Sequence, residues 1–340
     1  MRYLIYCLLS VFLSNNIHAQ GCCSGGSGSP IAGGVSQGVL QDGQMEFGLN
    51  HQYSYSNNLF TGNVLDTALV NKIDNLNSNY LYFRMAYGVT KNLTFSIESG
   101  YFLNRDLVKL HPENIDNTQK SSGIADLIIF PRYDIYNKSK SKHQTEITVG
   151  LGVKIPLGKY NDSSVVYEDP TTGQKQYTTS APTVQPTNGS HDLFFYGFAM
   201  RDYKKLKFKV FANAMYVKKG WNPLGEKFGD YFSVGLFVGK TFFKKIGLTL
   251  QAKGEWMDAM QSAPGVDLLA IYNIDVISTG SEKYSFVPQI NYSLGSFTFF
   301  MMSDIPFYQN MRGTQIGAKY QLTTGITYRF MPKKFLWKKV

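Results

Sequence analysis

Gln321-Leu322-Thr323-Thr324-Gly325-Ile326-Thr327-Tyr328-Arg329-Phe330 changes character at every second residue. Leu322, Thr324, Ile326, Tyr328 and Phe330 fall on one face; Thr323, Gly325, Thr327 and Arg329 fall on the other. A period of two marks a β-strand with one apolar face. Tyr328 and Phe330 close that face with an aromatic pair, as strands do where they leave a bilayer. The pattern recurs upstream. Ile147, Val149, Leu151, Val153 and Ile155 oppose Glu146, Thr148, Gly150, Gly152 and Lys154, and Ile246, Leu248, Leu250, Ala252 and Trp256 oppose Thr249, Gln251, Lys253 and Glu255.

Twelve such segments are predicted between Met45 and Phe330, among them 79–90, 93–104, 124–137, 206–218 and, last, 314–330. Most have about the length a tilted strand needs to cross a membrane. The connections decide between a membrane barrel and a soluble sandwich. Odd-numbered ones are mostly long (58–78, 105–123, 157–190, 219–229, 259–282, 307–313), and even-numbered ones are tight (91–92, 138–143, 202–205, 243–245, 294–295). Outer-membrane barrels have short periplasmic turns and long outer loops, whereas a sandwich has no reason to alternate. The expected fold is therefore all-β: a transmembrane antiparallel β-barrel of about twelve strands in up-and-down order, with both ends of the barrel sequence in the periplasm.

Composition agrees. Charged residues make up 17% of the 340, and beyond the N-terminus no apolar run reaches the roughly eighteen residues a membrane helix needs. Residues 1–20 have the layout of a secretory signal: Arg2, an apolar core from Leu4 to Leu13, and Ile17-His18-Ala19 as a cleavage site. Residues 21–44 form a Gly/Ser-rich lead, read as a periplasmic segment or a lumen plug. The barrel spans 45–330, and 331–340 is a basic tail. Adjacent Cys22 and Cys23 lie too close for an ordinary mutual disulfide. Lipidation, an intermolecular disulfide and soft-metal capture remain open for them. The net charge of +10 has no basic stripe interleaved with stacking aromatics, which argues against nucleic acid. Outer-membrane lipid and lipopolysaccharide are the expected counter-charges, and no cofactor is expected.

A Lys or Arg facing mid-bilayer lipid costs about 2–4 kcal/mol, so the charged positions of the strands should face inward. The lumen candidates are Arg84, Glu98, Asp126, Arg132, Asp134, Glu146, Lys154, Lys253, Glu255 and Arg329. Glu46, Asp192, Lys207, Lys209 and Asp304 join them, with Phe130, Phe194, Tyr196, Phe300 and Met302 as apolar contacts for a solute. Twelve strands should leave a narrow pore. His51 near Ser99 on the outer wall is the sole pairing that would suit a lipase-like enzyme.

The final strand resembles the closing strand of bacterial outer-membrane barrels, whose terminal aromatic is a signal to the barrel-assembly machinery. A more particular resemblance is carried by short motifs in order: Ser122-Gly123-Ile124-Ala125-Asp126-Leu127, Val153-Lys154-Ile155-Pro156-Leu157-Gly158, Gln185-Pro186-Thr187-Asn188-Gly189-Ser190-His191-Asp192, Phe228-Gly229-Asp230 and Ile305-Pro306-Phe307-Tyr308-Gln309-Asn310-Met311-Arg312-Gly313. Together they resemble the outer-membrane proteins associated with the meta-pathway of phenol degradation. Thr187 and Asn188 depart from that family's pattern, and Cys22-Cys23 lies outside it. The resemblance implies a non-enzymatic barrel passing small organic solutes. A plugged barrel serving as a binding or structural module is the alternative.

Overall fold

The computed structural model describes residues 38–66, 75–110, 116–169, 171–272 and 274–332. The predicted signal segment, the Cys22-Cys23 pair and most of the basic tail lie outside the described residues.

Twelve antiparallel strands close into a barrel. In chain order they are β1 Met45–Ser56, β2 Asn75–Thr90, β3 Leu93–Leu110, β4 Asp116–Ile124 continued as Asp126–Ser139, β5 His143–Pro156 and β6 Asp192–Tyr203. The second half comprises β7 Phe208–Lys218, β8 Tyr231–Phe242, β9 Ile246–Met257, β10 Ser281–Leu294, β11 Phe297–Met311 and β12 Tyr320–Phe330. Each strand pairs with its chain neighbour, and β12 pairs back onto β1 from Met45↔Phe330 to Tyr55↔Tyr320. Stacked rings line this seam at the short-turn end: Phe47–Phe330 at 6.0 Å, Tyr328–Phe330 at 5.0 Å and Phe297–Tyr328 at 4.6 Å.

The alternation places Ile147, Val149, Leu151 and Val153 outside, while Glu146, Thr148 and Lys154 are buried. An apolar exterior and a closed hydrogen-bond ladder are what a hydrocarbon solvent requires. Among the described residues no helix is long and apolar enough to cross a membrane.

Several boundaries differ from the sequence-based expectation. β2, β3 and β4 run further than expected on the long-loop side, through Asn75–Ser78, Arg105–Leu110 and Asp116–Ile124. The segment 314–330 is not one strand. Thr314–Gly317 leaves the barrel and pairs with Asn58–Thr61, which in turn pairs with Val64–Leu65, in a small sheet among the loops. Two further clasps tie the loops: Ser163–Glu168 with Lys175–Thr179, and Glu226–Lys227 with Gln261–Ser262.

Candidate functional site

Strand parity fixes which side chains enter the lumen, and it gives the lumen two unlike walls. Strands β4–β8 supply a continuous apolar cluster that includes Ile128, Phe130, Phe194, Tyr196, Phe198, Phe211, Met215 and Phe237. Phe211 and Phe237 stack at 4.3 Å, and Phe130 meets Tyr196 edge-on at 5.6 Å. Gly150 and Gly152 on β5 leave room for the Phe130 ring, which would lie 2.8–2.9 Å from a Cβ at either position. The opposite wall, from β9 through β12 to β1, buries Thr249, Glu255, Ser285, Asp304, Thr323, Glu46, Asn50 and Gln52.

Most charges inside this space form ion pairs, while buried Asp134 and Glu146 are held by hydrogen bonds from Asn137, Thr148 and Val39 N. Towards the short turns Arg84 reaches Glu46 at 3.6 Å and Glu98 at 3.5 Å, Arg329 pairs with Glu46, and the Tyr82 hydroxyl donates to Glu98. On the polar wall Lys253 lies 2.8 Å from Asp304 and 3.0 Å from Glu255, which also meets Lys283 at 2.6 Å and the Tyr231 hydroxyl at 2.5 Å. Below the long loops Lys154 sits between Asp126 at 3.3 Å and Asp192 at 3.0 Å, and Lys219 approaches Asp192 at 3.1 Å. Arg132 is buried with its guanidinium 5.7 Å from the Phe130 ring centroid. Buried pairs of this kind add little net stability, but losing one partner strands a charge.

Both mouths carry inward chain. At the short-turn mouth the described end of the lead tucks under the wall. Val39 N donates to Glu146 Oε1 at 3.3 Å, Leu40 N to Thr94 Oγ1 at 2.7 Å, and Gly43 N to the Gly88 carbonyl at 2.8 Å. At the other mouth the β5–β6 loop folds inward, and residues 180–187 are all buried. Its backbone is held by side chains from β3 and from the β7–β8 loop: Arg105 Nη1 donates to the Gln185 carbonyl at 2.8 Å and Asn222 Nδ2 to the Asn188 carbonyl at 3.0 Å. Its own side chains bond the charge cluster beneath, Thr187 to Asp126 and Asn188 from Lys154, while Ser190 Oγ donates to Asp192 at 2.7 Å. Gln185 braces the loop internally through the carbonyls of Asp162 and Ser180. Pro182 and Pro186 fix φ and leave two fewer N–H groups to satisfy in a buried backbone.

Under this loop lies a cavity of about 140 Å³. Tyr80, Tyr82, Phe102, Ile128, Phe194, Met215 and Tyr231 line its wall, and Pro186, Thr187 and Lys154 cap it.

The structure gathers Arg84 and Glu98 into one cluster, Asp126 and Lys154 into a second, and Lys253 and Glu255 into a third. Asp134 and Glu146 are buried near the lead, and Arg329 is at the rim, half exposed. Phe130, Phe194, Tyr196 and Phe300 are buried, with Met302 on the same inward parity as Phe300. Two expected lumen residues are misplaced. Lys207 belongs to the β6–β7 turn, exposed with φ 51°, and Lys209 stays at the rim against Asp202 at 3.4 Å. The turn lies two residues later than expected, at 204–207, so β7 begins at Phe208. His51 Nε2 bonds Asn79 Oδ1 at 3.2 Å, while Ser99 pairs across the wall with Phe83, so the two are not brought together as a catalytic pair. Sequence reading missed the inward loop and, with it, Tyr80, Tyr82, Phe102 and Tyr231. The available signal was that residues 176–190 carry no charge, which is unusual for a long loop in water.

Fold and lumen together define a closed outer-membrane β-barrel. Among solved structures the chain is similar to an outer membrane channel from Pseudomonas putida F1, with a TM-score of 0.59 at 12% identity over 88% of this chain and 99% of that one. The translocator domain of the autotransporter NalP from Neisseria meningitidis scores 0.47 at 10% identity, covering 86% of this chain and 90% of that one. Identities this low speak to fold alone. No family model matches the chain, and no curated protein does.

Proposed function

We propose that this chain is a narrow outer-membrane channel for small apolar solutes of about one aromatic ring, gated by the inward loop 181–190. The observation that carries this is the aromatic cavity beneath that loop. Its volume of about 140 Å³ is close to the ~150 Å³ of an apolar protein cavity that holds benzene, and too small for a four-ring steroid. The ordered motifs resembling the phenol-degradation barrels point the same way. In proteoliposomes, influx of a neutral single-ring solute is expected to exceed that of a disaccharide. Met215→Trp, which fills the cavity, should abolish the difference. Equal influx of both solutes through the wild-type protein, or no effect of Met215→Trp, would remove the reading.

The tether of Val39 and Leu40 to Glu146 and Thr94 favours a second reading, in which the lead plugs the lumen and the barrel acts as a binding or structural module. Deleting residues 21–40 is then expected to raise single-channel conductance in planar bilayers severalfold. Unchanged conductance places the lead outside the conducting path.

A further inference from the structure

The two ends of the barrel differ in how their lysines are used. At the long-loop end four exposed cations meet carboxylates, Lys159–Asp162 at 3.3 Å, Lys175–Glu168 at 3.4 Å, Lys218–Asp230 at 2.6 Å and Arg312–Asp258 at 3.8 Å, whereas exposed Lys120 and Lys319 do not. The tight turns are different. The β4–β5 turn carries Lys140 and Lys142, the β6–β7 turn Lys204, Lys205 and Lys207, and the β8–β9 turn Lys244 and Lys245, all exposed. Among the described residues none of these seven has a carboxylate within ion-pair distance; at this end Lys209 meets Asp202 and Arg329 meets Glu46.

Apolar side chains stand between these lysines. Leu206 and Leu294 are exposed at turn tips, and Phe243 is 85% exposed. Lys138 and Lys240, just inside the turns, lie over the rings of Tyr136 and Phe242 at 5.4 and 5.5 Å. The turns also hold these residues at a conformational cost. Among the described residues, those other than glycine with positive φ are Lys207, Phe243 and Lys244, at 51°, 49° and 59°. Gly or Asn would relax such positions, so turn geometry does not account for a lysine or phenylalanine there. A surface of ammonium groups without carboxylate partners and of protruding apolar tips, at the edge of the hydrocarbon belt, matches a charged lipid interface.

We propose that the tight-turn rim is a binding surface for anionic phospholipid headgroups in the inner leaflet of the outer membrane. The ammonium groups meet headgroup phosphates while Leu206, Phe243 and Leu294 enter the upper acyl region. This places the counter-charge on the periplasmic side, away from the lipopolysaccharide of the outer leaflet. An acidic soluble partner would match the lysines but leave the apolar tips in water.

The test is native mass spectrometry of the purified full chain from micelles with equal phosphatidylglycerol and phosphatidylcholine. The wild-type protein is expected to retain phosphatidylglycerol in excess, with the excess falling as salt rises. Each lysine near the surface contributes about fivefold at low ionic strength. The combined variant K140Q/K142Q/K204Q/K205Q/K244Q/K245Q should therefore bring retention close to parity while remaining heat-modifiable on gels. K159Q/K175Q/K218Q at the opposite end should leave the excess unchanged. If the combined variant does not fold, the pairs K204Q/K205Q and K244Q/K245Q give the same readout. No excess in the wild-type protein, an excess that survives the turn substitutions, or an equal loss from the loop-end substitutions would overturn the proposal. So would retention of lipopolysaccharide in preference to phosphatidylglycerol through the same turn lysines.

Discussion

Lys154→Met is expected to open the long-loop mouth. The substitution keeps the length of the side chain but leaves Asp126 and Asp192 facing each other without the ammonium that lies 3.3 and 3.0 Å from them. It also removes the donor to Asn188, so the inward loop loses its anchor on β5. Breaking a buried pair from one side costs about 3–5 kcal/mol, far more than an exposed pair. Asp192 keeps Lys219, Ser190 and the Gly220 amide, so the larger loss falls on Asp126 and on Thr187, which donates to it. Planar-bilayer recordings should show a higher and noisier conductance, with the barrel still folded. Adding Asp126→Asn should recover part of the closed behaviour, because the stranded charge is gone. Wild-type conductance in Lys154→Met would mean that the backbone bonds of the loop to Arg105, Gln119 and Asn222 are enough to hold it.

The second large effect is expected on the outer wall. Leu151 is the centre of the outward run Ile147–Val149–Leu151–Val153–Ile155 and is exposed in the barrel. Leu151→Arg places a guanidinium at mid-bilayer depth, at a cost of about 2–4 kcal/mol. Thr145→Arg, at the same outward parity on that strand but beside the short turn, is expected to cost about 0–1 kcal/mol. Folding into lipid vesicles, followed by the heat-dependent gel shift against urea, measures the difference. Equal effects at the two depths would contradict a lipid-facing wall.

Strands were legible where lipid imposes a rule. Inside the bilayer every outward position must be apolar, so β5 and β9 announce themselves by parity. Beyond it no such rule holds. Asp116–Ile124, reading Asp-Asn-Thr-Gln-Lys-Ser-Ser-Gly-Ile, pairs with β3 yet has water available to it, and its sequence resembles a loop. The same holds for Asn75–Ser78. Thr314–Gly317 shows the opposite error: its spacing continues that of β12, but its hydrogen bonds go to Asn58–Thr61, a choice set by loop packing. The lumen charges were legible from parity alone, since Lys154 and Glu98 could face nowhere else. Their grouping into clusters was not, because a cluster draws on strands far apart in sequence. The inward loop was hidden for the same reason. Its anchors Arg105, Gln119 and Asn222 come from three other parts of the chain.

The seam between the first and last strands has a consequence for assembly. All other barrel pairings join chain neighbours, so eleven of the twelve interfaces can form hairpin by hairpin from local contacts. The last must bring together residues as distant as Glu46 and Arg329, separated by 283 positions. For a free chain, joining ends that far apart costs about 5 kcal/mol in entropy, but hairpins formed beforehand shorten the effective path. Until the ends meet, the sheet has two bare edges, each a template for another chain. The stacked rings of Phe47, Tyr328 and Phe330 lie where those edges join. Their early contact would start the final zipper at the rim and pass it along the strands towards Tyr55 and Tyr320.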